Sequence, residues 1–60
     1  MLSNTKLRKL AAAVRRQHPE GRTFTKKEAR DAVVHYRLYR YEGAFLREDS
    51  WRAVEDLLAS

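Results

Sequence analysis

Two short breaks decide what this chain can become. Pro19-Glu20-Gly21 and Glu42-Gly43 hold its one proline and both of its glycines, and they divide it into three segments of helical length. The residue before a proline avoids the helical region, and glycine readily follows a helix end. Between the breaks, apolar residues recur mostly at the three-to-four-residue spacing of a helix. The chain therefore reads as all-α: one compact three-helix domain over residues 1–60, with helices near 5–18, 25–39 and 48–59.

Each segment carries its own start signal. Ser3 or Asn4 can cap the first helix, in which Leu7, Leu10, Ala11, Val14 and His18 share one face. Arg8, Lys9, Arg15 and Arg16 form its basic back, and His18 reads as a cap at its C-terminal end. Thr25 and Glu28 have capping-box spacing at the start of the second helix, with Phe24 before them as a staple onto Ala29. Ala29, Ala32, Val33, Tyr36 and Tyr39 make its main apolar face, and Val34, Leu38 and Tyr41 a second one. Val34 to Tyr41 is also rich in β-formers, so a strand there, as in a winged helix, is the alternative. Glu48, Asp49 and Ser50 open the third helix, whose Trp51, Val54, Leu57 and Leu58 face inward. Tyr36, Phe45 and Trp51 are expected in the core.

The stability of such a fold has few sources. A chain of this size buries only about 60% of the surface it exposes when unfolded. It has no cysteine for a disulfide, and His18 and His35 stand too far apart to begin a metal site. Helix packing, helped by a second copy of the chain, must suffice.

Catalysis is not expected. There is no glycine-rich phosphate cradle and no nucleophile–base pair, and the carboxylates sit at helix starts or beside basic residues. No cofactor or metal is implied. Met1 to Val14 includes Lys6, Arg8 and Lys9 and lacks the apolar run of a signal or a membrane span, so a cytoplasmic protein without membrane attachment is expected.

Charge gives the sharper pointer. Thirteen basic residues against eight acidic give +5, and the signs separate: residues 1–41 carry +8 and residues 42–60 carry −3. An anionic partner suits the first part. The densest group is Arg22, Thr23, Thr25, Lys26, Lys27 and Arg30, at the start of the second helix. Lysines there oppose the helix dipole, and an external phosphate would relieve that repulsion.

The order of first helix, turn and second helix resembles the helix-turn-helix class over roughly residues 5–40, which implies the second helix as the reader of a major groove. Lys26, Lys27 and Arg30 would approach bases and phosphates, with Thr23 and Thr25 offering hydroxyls. Arg15, Arg16, Arg22 and Arg37 would clamp the backbone. A single module offers little area, so a homodimer through Val34, Leu38, Tyr39 and Tyr41, with the acidic third helix, is expected. The reading is a DNA-binding regulator or phage-type accessory factor acting on double-stranded DNA. The alternative is a protein-binding module or inhibitor of a host protein.

Overall fold

The computed structural model describes residues 2–18 and 23–60. It contains α1 (Asn4–Arg15), α2 (Lys26–Tyr39) and α3 (Glu48–Ala59), and no strand among the described residues. Residues 34–39 continue α2, so the alternative strand over 34–41 does not form. The turn at Pro19–Gly21 lies outside the described residues.

Local chemistry accounts for the helix starts. The Lys6 N–H donates to Ser3 Oγ at 3.3 Å, which makes Ser3 the cap of α1. At α2 the capping box is complete: the Glu28 N–H donates to Thr25 Oγ1 at 3.1 Å, and the Thr25 N–H donates to Glu28 Oε1 at 3.0 Å. α3 begins after Arg47 with no side-chain cap, and Glu48 and Asp49 in its first turn suit the positive end of its dipole. Ser50 is buried inside that turn.

α1 ends earlier than its apolar periodicity suggests. The N–H groups of Gln17 and His18 donate to the carbonyls of Val14 and Arg15, three residues back, which tightens the last turn and closes the helix. The ring of His18 meets Phe24 edge-on with centroids 5.4 Å apart, so the side chain braces the entry to α2 and does not cap α1.

The core is built around α3. Trp51, Val54 and Leu58 from α3 meet Leu7, Ala11 and Val14 from α1 on one side. On the other they meet Ala29, Ala32 and Val33 from α2, together with Phe24. α1 and α2 each pack extensively on α3 and touch one another far less. Trp51 is the aromatic hub: Tyr41 stands edge-on to it at 5.0 Å and Tyr36 at 6.4 Å, and the Arg37 guanidinium lies 5.1 Å from its ring centre.

Phe45, expected in the core, is 88% exposed. Tyr41 occupies the aromatic position in its place, with its hydroxyl donating to the Ala44 carbonyl at 2.7 Å. Leu46 then packs against the core, and its chain neighbour Phe45 turns out. Gly43 makes this arrangement possible, because a β-carbon there would overlap the hydroxyl end of the Tyr41 ring. A Gly43→Ala variant is therefore expected to lose about 1–2 kcal/mol and to melt roughly 5–10 °C lower by circular dichroism. An unchanged midpoint would mean that the ring swings aside without cost.

Candidate nucleic-acid interface

α2 divides its circumference into three. Ala29, Ala32, Val33 and Tyr36 face the core at a rotation of about 100° per residue. Lys27, Val34 and Leu38 lie on the outward strip opposite. Lys26, Arg30 and Arg37 take the flank nearest α3.

That flank closes on α3 as a shallow groove of about 400 Å³, lined by Lys26, Lys27, Arg30, Arg52, Glu55 and Asp56. Three of the expected contact residues are thus brought together, and a fourth cation, Arg52, joins them. The sequence marks Arg52 only as an outward residue of α3; which flank of α3 meets α2 depends on packing. The same packing sets Glu55 and Asp56 into the groove. The acidic side of α3, expected at a dimer interface, therefore faces the cations of α2. Four positive charges meet two negative ones there.

Two of the expected backbone clamps are committed to the fold. Arg15 Nη2 donates to the carbonyl oxygens of Leu57 at 3.0 Å and Leu58 at 3.5 Å, satisfying groups at the C-terminal end of α3. Arg37 forms a two-pronged pair with Glu48, at 3.2 and 2.7 Å, and lies against Trp51. Its hydrogen bond, more than its charge or that of Arg52, holds the Glu48 carboxyl below the ordinary glutamate range. The carboxylate form is the one that the fold favours. The contribution of the pair is therefore present above the ordinary glutamate pKa and is lost as pH falls through the lowered value. The pair is exposed and screened, so this contribution is small.

The remaining expected contacts do not line that groove among the described residues. Arg16 caps the end of α1 and is exposed, as is Thr23. The hydroxyl oxygen of Thr25 is engaged in the capping box, which leaves only its proton to offer a phosphate. Arg22 lies outside the described residues.

The residues expected at a dimer interface separate in the same way. Val34, Leu38 and Tyr39 are 44%, 69% and 71% exposed. Val34 and Leu38 share the outward strip, whereas Tyr39 lies about 100° round the helix and contacts the His35 ring at 4.9 Å. Tyr41 does not belong with them. It is partly buried against Trp51 and Tyr36, because the chain leaves the helix after Tyr39 and folds its ring back over α3.

Among the described residues no three His, Asp or Glu side chains gather as a metal ion would require, and no helix is long and apolar enough to cross a membrane. Comparison with protein-family models, with curated proteins and with solved structures returns no match to this chain.

Proposed function

We propose that the chain is a small cytoplasmic protein that binds double-stranded DNA as a homodimer, a regulator or accessory factor that acts by binding and performs no chemistry. The gathering of Lys26, Lys27, Arg30 and Arg52 at the N-terminal end of α2 is the observation that supports this. Adjacent lysines at the positive end of a helix dipole repel it and each other, and phosphate oxygens between them reverse the sign of that interaction. Arg30, one turn along, has the reach and the fork geometry for a guanine edge, and Arg16 and Arg22 would flank it on the backbone.

α2 divides its work along its length. Lys27 shares its strip with Val34 and Leu38, so a helix lying flat in the groove would press those two side chains onto DNA. End-on entry avoids this: the first two turns meet DNA, and the last two pair with a second copy through Val34 and Leu38, with Tyr39 at the edge. Pairing also doubles a contact area that is small for one module, roughly 600–1,000 Å². Glu55 and Asp56, which line the same groove, would moderate the affinity by repelling phosphate.

A fluorescence-anisotropy titration with random duplex DNA at two salt concentrations tests the proposal, with light scattering to give the mass. Micromolar binding that falls steeply with salt, from a dimer, is expected. No binding at low salt overturns it. The reading as a protein-binding module then takes its place, with the exposed Leu38, Tyr39 and Phe45 as its support.

A further inference from the structure

A second groove shares no residue with the α2–α3 surface. It runs between the first turns of α1 and the connection from α2 to α3, encloses about 290 Å³ and is open to solvent along one side. Its floor is apolar: Leu2 and Leu10 from the α1 side, and Tyr41, Ala44 and Leu46 from the connection. Its charged lining residues are Lys6 and Lys9, one turn apart on α1. The two grooves differ in a way that bears on what each would take. Glu55 and Asp56 stand among the cations of the α2–α3 groove, whereas among the described residues no carboxylate lines this one. The ammonium groups of Lys6 and Lys9 make no ion pair or hydrogen bond among the described residues.

We infer that this groove docks an acidic amphipathic segment of a partner protein. Apolar side chains of the segment would cover Leu10, Tyr41 and Leu46, and its carboxylates would meet Lys6 and Lys9. Charge complementarity carries the choice of occupant: an apolar floor with cations at its edge matches a segment whose apolar stripe is bordered by acids. The open shape weighs against a fatty acid, because small-ligand sites bury most of their ligand and this groove leaves one side in water. A second copy is a poor fit. Its exposed apolar strip on α2, Val34 and Leu38, is bordered by Lys27 and Arg30 with only Asp31 against them, so it lacks the acidic border that Lys6 and Lys9 call for.

The test is selection of a random peptide library on the immobilised full chain, followed by affinity measurements on three folded variants. Lys6→Glu with Lys9→Glu reverses the rim, and glutamates near the start of α1 suit its dipole. Ala44→Arg fills the floor from an exposed position. Lys26→Glu with Lys27→Glu is the control for general attraction to cations. Enriched peptides are expected to set acids beside large apolar residues at helical spacing. They should bind about tenfold or more weakly to the first two variants and almost unchanged to the control. Enrichment of peptides without acids, equal binding to the groove variants, or no enrichment overturns the inference. So does anionic-vesicle binding that the groove variants abolish while no peptide is selected, which would assign the groove to a lipid surface. Loss of self-association on Ala44→Arg would assign it to a second copy. DNA affinity measured on the same variants separates this inference from the DNA proposal, since that reading predicts loss in the control alone.

Discussion

Trp51→Ala is expected to leave the domain largely unfolded at room temperature. Removing a buried tryptophan costs about 3–5 kcal/mol. A domain of this size rarely has more than about 3–5 kcal/mol of stability in total. Trp51 is 3% exposed and is the surface on which Tyr36 and Tyr41 rest, so their contacts loosen with it. Arg37 loses the ring beneath its guanidinium. Trp51→Phe keeps an edge for both tyrosines and should retain a cooperative, lowered melt. Far-ultraviolet circular dichroism with urea titration separates the two. A cooperative Trp51→Ala transition near that of the unaltered chain would mean that the aromatic group is not what joins α2 to α3.

Reversing two charges at the start of α2 should have the largest effect on DNA. Lys26→Glu with Lys27→Glu is expected to reduce affinity for duplex DNA by about a hundredfold or more at low salt, and to reduce the salt slope by about two. The fold should persist, because glutamates are favourable in the first turn of a helix. Replacing Glu55 and Asp56 with glutamine and asparagine should act in the opposite sense, since it removes the carboxylates from the same groove. Arg37→Gln tests the division between fold and function: stability should fall while DNA affinity changes little, because Arg37 is held by Glu48 and Trp51. If Lys26 and Lys27 could be reversed without effect while Arg37→Gln abolished binding, the assignment of the surface would be wrong.

Much of the fold was legible in the residues because local rules govern it. Thr25 and Glu28 announce their capping box by spacing alone, and the bounds of α3 follow from two acids and an apolar period. The end of α1 was less legible: His18 continues the apolar stripe, but the tightened turn at Gln17 and His18 stops the helix first. Long-range packing was hidden altogether. Nothing in the order of residues sends Arg15 to the last carbonyls of α3, Arg37 to Glu48, or Arg52 to the side of Lys26. Whether Tyr41 or Phe45 fills the aromatic site depends on how a short connection turns, and that is set by the hydroxyl bond to Ala44 and the space above Gly43. The cationic residue types were readable, but which of them remain available for a ligand was not.

The central place of α3 has a consequence for how the molecule assembles. The helix on which both others rest is the last of the three in chain order, and α1 and α2 have little to hold them together without it. The first two helices therefore form no native pair before the third is in place. Short helices are marginal alone in water, so α1 and α2 should flicker until residues 48–59 arrive to join them. The contact from Arg15 to Leu57 closes a loop across 42 positions, and the entropy of that closure falls due before most of the core is gained. Folding should be a single all-or-none event, and a fragment lacking α3 should behave as an unstructured chain.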